Sequence, residues 1–314
     1  MRSNPSPFSV PPPPAMLRAK ALGFCMGVRR AVRLVHAEVD RSANKVYTLG
    51  ALIHNPRVLD ELERRGVETL DEAFLPGNLR GASVVIRAHG IRPQLEEELR
   101  ARGAVIVDAT CPRVKASQVK VQTLAEAGRV VFLAGEKSHA EVAGILGYAE
   151  LGARRCGESG PPPCVVAGCA DEARALAKEL RRKNRAKTAL VAQTTISQEE
   201  YSAIAEAILE FFPDLEIVQT ICAATQERQD SLRELLGKVD AVIIAGGRES
   251  ANTRRLLAIA EAAGKPCALA ETACDIPLEF FGFETIGITA GASTPEEAVE
   301  DIERAFDVRP LGKP

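Results

Sequence analysis

The stretch Val105-Ile106-Val107-Asp108-Ala109-Thr110-Cys111, followed by an amphipathic run from Val114 to Ala127, decides how this chain folds. A short β-branched run, a polar break and then apolar residues at three- and four-residue spacing read as strand, turn and helix. The cysteine falls just past the strand, at the entry to the helix. The same layout, spelled in different letters, occurs twice more. Gly23-Phe24-Cys25 ends a strand-like segment ahead of a helix through Ala31 to Val39. Glu216-Ile217-Val218-Gln219-Thr220-Ile221-Cys222 leads into Glu227 to Leu236. One layout used three times predicts three α/β units.

Further strands are expected at Val46 to Leu49, Ser83 to Ile86, Val130 to Leu133, Ala189 to Ala192, Ala241 to Ala245 and Thr285 to Thr289. Helical patterns such as Val58 to Arg65, Leu95 to Arg102 and Glu199 to Phe212 alternate with them. The expected fold is α/β with mostly parallel sheets, in three pseudo-threefold-related units around a central cavity. Ligands of such sheets bind beyond the carboxyl ends of the strands, so nine strand-to-helix loops would aim at that cavity. The expected boundaries are a Pro-rich tail over 1–16, units over 17–110, 111–219 and 220–308, and a tail over 309–314. Leu151 to Ala170, with Pro161-Pro162-Pro163 and three cysteines, reads as a surface excursion of the middle unit.

Composition narrows the function classes. The 314 residues are 46% hydrophobic and 26% charged with a net charge of -2, and Trp is absent. Neither a basic footprint nor stacking aromatics are present, which argues against a nucleic-acid partner. No apolar run approaches the roughly 18–20 residues that span a bilayer, so a membrane role is not expected. Pro11-Pro12-Pro13-Pro14 interrupts the place where a signal peptide needs a continuous apolar stretch, and Met16 is an alternative start. Eight cysteines in a chain of this length, without an export signal, suggest reduced thiols in a cytoplasmic compartment.

Cys25, Cys111 and Cys222 share a position where the helix dipole and free N–H groups favour thiolate. One cysteine per unit, meeting at an axis, gives three soft ligands and no fourth. Thiolates hold iron–sulfur clusters, and a three-cysteine cubane leaves one iron open to a ligand. Three buried, unliganded thiols are the bland alternative. Cys156, Cys164 and Cys169 read as structural or incidental, with a second site among them the weaker alternative, and Cys267 and Cys274 as ordinary buried thiols flanking a strand.

Of four histidines, His36 lies within a helix and reads as a surface or packing residue. His54, His89 and His139 all fall in strand-to-helix loops, where binding groups concentrate. With Ser250, Asn252 and Ser293 as neutral donors they suit an anion. Glu141 in a helix's first turn complements the dipole; beside a reduced cluster, with Thr194 to relay, it is a proton donor.

Several motifs together resemble one family. Gly23-Phe24-Cys25-Met26-Gly27-Val28 with Arg30-Ala31, Ile53-His54-Asn55, Ala88-His89-Gly90 and Asp108-Ala109-Thr110-Cys111-Pro112 are similar to those of the 4-hydroxy-3-methylbut-2-enyl diphosphate reductases. So are His139-Ala140-Glu141-Val142, Gln193-Thr194-Thr195, Ile221-Cys222, Ser250-Ala251-Asn252-Thr253 and Thr289-Ala290-Gly291-Ala292-Ser293. The resemblance runs from about Ala19 to Ala305.

It implies a trefoil of three α/β units around one 4Fe–4S cluster. It also implies reductive removal of the substrate's hydroxyl as water, giving isopentenyl and dimethylallyl diphosphates in the non-mevalonate isoprenoid pathway. By position, Cys25, Cys111 and Cys222 become the cluster ligands, and His54, His89, His139, Ser250, Asn252 and Ser293 the diphosphate site. Glu141 becomes the proton donor, with Thr194 orienting the departing oxygen. The implied partners are the allylic diphosphate and an electron donor such as ferredoxin or flavodoxin.

Three positions depart from the family pattern. Ala251 stands where a second serine is common, Ala140 where a proline is usual, and Glu136 near where another histidine is frequent. Competing readings are a non-catalytic iron–sulfur sensor, a three-cysteine zinc hydrolase and a plain small-molecule binder. Glu141 and Thr194 speak against the sensor, because sensing needs no acid. Three thiolates would leave zinc a poor activator of water, and a plain binder leaves the cysteine placement unexplained.

Overall fold

The computed structural model describes residues 13–156, 164–183 and 187–307. It divides into two compact units, Phe24–Glu227 and the pair of segments Met1–Gly23 and Arg228–Pro314.

The larger unit holds two four-stranded, all-parallel sheets. In the first, the spatial order is Glu68–Leu70, Val46–Leu49, Ser83–Ile86, Val105–Asp108. In the second it is Cys164–Ala167, Val130–Ala134, Thr188–Ala192, Glu216–Ile217. The central strands are continuous apolar runs buried on both faces, as parallel strands under helices must be. Leu52, Val58, Leu62 and Val85 pack on one side of the first sheet, and Leu95, Leu99, Val84 and Ile86 on the other. Helix Met26–Arg41 buries Val28, Ala31 and Val35 at helical spacing. Its buried Glu38 is held by Ser83 Oγ at 2.5 Å and Arg41 Nη2 at 2.7 Å, so the charge is compensated.

The smaller unit is one parallel sheet, in the order Ala15–Arg18, Thr285–Ala290, Ala241–Ala245, Cys267–Ala270. Numbered in chain order the first two sheets are 2-1-3-4, and the third takes the same order when its strands are counted from Ala241–Ala245 with Ala15–Arg18 as the fourth. In each, the fourth strand leads to a cysteine: Val105–Asp108 to Cys111, Glu216–Ile217 to Cys222, and Ala15–Arg18 to Cys25.

That rule corrects two expected boundaries. Ala15 and Met16 are not tail but strand, and the strand belongs to the last sheet, beside Thr285 and Ile286, rather than to the unit beginning at 17. An edge strand pairs where a free edge exists, and sequence adjacency does not reveal which edge that is. Residues 1–12 and the expected tail over 309–314 lie outside the described residues.

The reading of 151–170 as a loop is also corrected. Helix Ala140–Cys156 runs into it, and Cys164–Ala167 is an edge strand of the second sheet. Four apolar residues beside a proline run are too short to announce themselves by period. Cys267 is half-buried on an edge strand and Cys274 is exposed in a 3₁₀ turn, so neither is the buried thiol expected. Cys164 is buried, which pushes its thiol up to about 12, while Cys156 and Cys169 are exposed.

Candidate active site

In a parallel sheet of order 2-1-3-4, the loops leaving strands 1 and 3 part to opposite faces and open a crevice between them. Every candidate residue apart from the cysteines lies on such a loop or at the helix start just beyond it. His54 follows Val46–Leu49 and His89 follows Ser83–Ile86 in the first sheet. His139 and Glu141 follow Val130–Ala134, and Thr194 follows Thr188–Ala192, in the second. In the smaller unit Ser250 and Asn252 follow Ala241–Ala245, and Ser293 follows Thr285–Ala290.

Each cysteine sits at a helix N-terminus, as the layout predicted. Cys25 caps Met26–Arg41, its Sγ accepting from Val28 N–H at 3.5 Å. Cys111 caps Pro112–Glu126, and Cys222 immediately precedes Ala223–Leu236, its carbonyl accepting from Thr225 N–H and Gln226 N–H. All three are half-buried and unpaired by disulfide. A Cβ on Gly27 would lie 2.5 Å from Cys111 Sγ and 3.8 Å from Cys25 Sγ, so glycine is needed where helix and sulfurs meet. Burial pushes the Cys111 thiol upward, and Cys25 and Cys222 push it the same way.

Thiols that act on one another in this way repel as thiolates and call for bound cations. Beside them, His54, His89 and His139 bring their ring nitrogens within 4.8 Å of one another. Three soft thiol donors are the ligand chemistry of an iron–sulfur group, and Gly27 keeps a side chain from intruding on two of the sulfurs.

Backbone bonds tie these cysteines to the loops. Cys111 N–H donates to Ala88 O at 2.9 Å, beside His89, and Cys222 N–H donates to Thr194 O at 2.9 Å. Thr194 is thereby bound twice over. Its N–H donates to Glu141 Oε1 at 2.7 Å and its hydroxyl to Oε2 at 2.8 Å. Glu141 is 1% exposed, so this carboxyl is held in one orientation away from bulk water.

The histidine rings lie 4.8, 5.2 and 6.1 Å apart between centroids. His139 Nδ1 accepts from Glu141 N–H at 3.2 Å, which leaves the neutral ring's hydrogen on Nε2 as a donor. Burial holds His89 well below the usual imidazole range, and the neighbouring His139, His54 and Arg87 add to this. Its buried Nδ1 has no hydrogen-bond partner. Such a cluster gains most from an anion, which would offset the mutual repulsion of protonated rings.

Ser250 caps Ala251–Ala262, accepting from Thr253 N–H at 3.3 Å and keeping its own O–H to donate. Asn252 is 4% exposed and neither amide atom has a partner, a cost a ligand would remove. His36 pairs with Glu61 at 3.6 Å on the helix surface, as expected.

Some contributors were not singled out by sequence. Gln193 is fully buried, its Oε1 accepting from Glu136 N–H at 2.9 Å and its Nε2 donating to Thr195 Oγ1 at 2.9 Å, and so frames the loop before His139. Gly27 and Arg87 were legible only as neighbours of a cysteine and a histidine.

The fold and site define an α/β protein with three cysteines at helix N-termini beside a buried acid and a histidine anion cradle. Comparison narrows this further. The LytB protein family matches residues 16–307, and the chain belongs to that family. A Treponema pallidum (strain Nichols) 4-hydroxy-3-methylbut-2-enyl diphosphate reductase is 43% identical over 92% of this chain and 82% of its own length. The Aquifex aeolicus (strain VF5) protein of the same name is 40% identical over 91% of this chain and 93% of its own.

Among solved structures, an (E)-4-hydroxy-3-methyl-but-2-enyl diphosphate reductase, the terminal enzyme of the non-mevalonate pathway, is similar with a TM-score of 0.66 and 36% identity, covering 94% of this chain and 99% of that one. The Plasmodium falciparum E-1-hydroxy-2-methyl-but-2-enyl-4-diphosphate reductase gives a TM-score of 0.82 at 27% identity, covering 96% of this chain and 90% of that one.

Proposed function

We propose that this chain is a 4-hydroxy-3-methylbut-2-enyl diphosphate reductase, converting (E)-4-hydroxy-3-methylbut-2-enyl diphosphate to isopentenyl and dimethylallyl diphosphates. Two electrons and two protons enter, the allylic C–O bond breaks, and the oxygen leaves as water. The observation that carries the reading is Thr194, fastened to the acid Glu141 by side chain and N–H and to Cys222 by its carbonyl. A sensor or a plain binder has no use for a buried acid fixed to a cysteine loop.

Cys25, Cys111 and Cys222 are assigned to one 4Fe–4S cluster, which when bound supplies electrons singly and an open iron as Lewis acid. The chain's own residues do the rest. His54, His89 and His139 take the diphosphate, His139 donating from Nε2. Ser250, Asn252 and Ser293 are assigned to diphosphate binding by the motif match, supported by Asn252's buried, unpartnered amide. Diphosphate binding energy, remote from the chemistry, positions the reacting carbon.

The Thr194 hydroxyl donates to Glu141 Oε2 at 2.8 Å; when Oε2 is protonated the bond reverses, Oε2–H donating to Oγ1, and the threonine O–H is free to deliver a proton. The threonine hydroxyl passes it toward the departing oxygen, and burial of the pair keeps solvent protons out. The electron donor is assigned to the ferredoxin or flavodoxin class and the compartment to the cytoplasm. No helix of the described residues is long and apolar enough to cross a membrane.

Anaerobic turnover with a reduced donor tests the reading. Wild type is expected to form both products, while Glu141→Gln keeps the brown colour and loses most of its rate. A Glu141→Gln variant as fast as wild type would remove the acid from the mechanism.

A further inference from the structure

Helix Met26–Arg41 is capped by Cys25, and on its first turns it reaches a second cysteine loop. Gly27 and Arg30 are three residues apart and so share a face. Gly27 lies against Cys111 Sγ, and Arg30 grips the chain just ahead of that cysteine. Its Nη1 donates to Thr110 O at 3.1 Å and its Nη2 to Asp108 O at 3.1 Å. The loop so gripped is already braced. Asp108 Oδ1 accepts from Thr110 N–H at 2.9 Å, Asp108 Oδ2 faces Lys115 Nζ at 3.6 Å, and Cys111 N–H donates to Ala88 O at 2.9 Å.

A guanidinium fork usually meets a carboxylate. Here it spends both arms on neutral carbonyls and makes no ion pair among the described residues. Its charge sits one residue from Cys111 and attracts the Asp108 carboxylate without pairing with it. The smaller unit repeats the device, since Arg228 Nη2 donates to Gly23 O at 2.6 Å, two residues before Cys25.

We propose that Arg30 is a positioning residue that fixes Cys111 relative to Cys25 through Asp108 O and Thr110 O, and a fixed cation that favours the reduced cluster. The inference rests on the cluster assignment above. A group held by three thiolates with no fourth depends on their spacing, and the Cys25 helix sets part of that spacing by this clasp. Net charge and hydrogen bonding around a cluster set its potential, so the same residue acts twice.

The test uses full-length wild type, R30Q and R30K, each purified anaerobically. Three quantities are read: the midpoint potential of the bound cluster, the rate at which a ferrous chelator removes iron, and thermal unfolding of the iron-free chain. R30Q is expected to release iron roughly 10- to 100-fold faster, the usual effect of losing an outer-sphere partner. Its potential should move to more negative values while its unfolding stays near that of wild type. R30K keeps the charge but not the fork, so it should restore the potential and only part of the iron retention. Equal release rates and potentials in all three chains would overturn the proposal. If R30Q does not fold, R30K decides on release rate alone, and wild-type retention there overturns it. Iron-free wild type would instead sink the cluster assignment itself, before either variant is compared.

Discussion

Thr194 donates to both carboxylate oxygens of Glu141, at 2.7 Å from its N–H and 2.8 Å from its hydroxyl. Only the second bond depends on the side chain. Thr194→Val should therefore leave Glu141 in place and cut turnover, whereas Thr194→Ser should recover most of it. Loss of a positioned acid costs about 10²–10⁴-fold, and the Val variant should fall toward the lower end. Initial rates with a reduced mediator, normalised to iron content, read this; Thr194→Val at wild-type rate would contradict the relay.

Gly27 supplies a second prediction. A methyl there would meet Cys111 Sγ at 2.5 Å, closer than real contacts allow. Overpacking of this kind costs about 1–3 kcal/mol when the surroundings must shift, and here the atom that must move is a proposed ligand. Gly27→Ala should keep its circular dichroism and bind less iron per chain. Full iron loading would mean the sulfur can swing away at no cost.

The histidine cradle makes stability depend on pH. Burial first, then His139, His54 and Arg87, hold the folded-state pKa of His89 below its unfolded value. As pH falls through the imidazole range near about 6.5, the unfolded chain takes up a proton that the folded chain refuses, so stability falls. Wild type should lose thermal stability between neutral and mildly acid pH, and His89→Asn should lose less. Inorganic diphosphate should reduce the loss, because an anion favours the charged rings. A pH profile unchanged in His89→Asn would contradict this.

Asn252 opposes stability to function. Its buried amide has no partner, and an unsatisfied buried polar group costs about 1–3 kcal/mol. Asn252→Ala is therefore expected to melt at or above wild type while KM rises and kcat changes less. Thermal denaturation and steady-state kinetics on one preparation separate the two effects. A lower melting temperature with unchanged KM would make Asn252 a structural residue only.

Much of this was legible in the letters. Strands such as Ser83–Ile86 and Ala241–Ala245 fall where β-branched runs predict, because buried parallel strands must be apolar on both faces. The three cysteines were placed at helix entries by the same local pattern. Ala15–Arg18 in the last sheet was not legible, since a free edge elsewhere in the chain chose its partner. Cys164–Ala167 was hidden by its shortness beside prolines. Gln193 and Arg30 act through backbone groups distant in sequence, and nothing in their spacing announces a carbonyl to be gripped.

The most direct measurement is iron and acid-labile sulfide per chain, alongside turnover, for anaerobically prepared wild type and the single variants Cys25→Ala, Cys111→Ala and Cys222→Ala. Wild type should be brown, carry iron and sulfide in equal amounts and reduce the hydroxylated diphosphate, and each variant should lose both metal and rate. A colourless, iron-free wild type that still turned over substrate, or a variant that kept its full iron and rate, would contradict three thiolates holding one catalytic cluster.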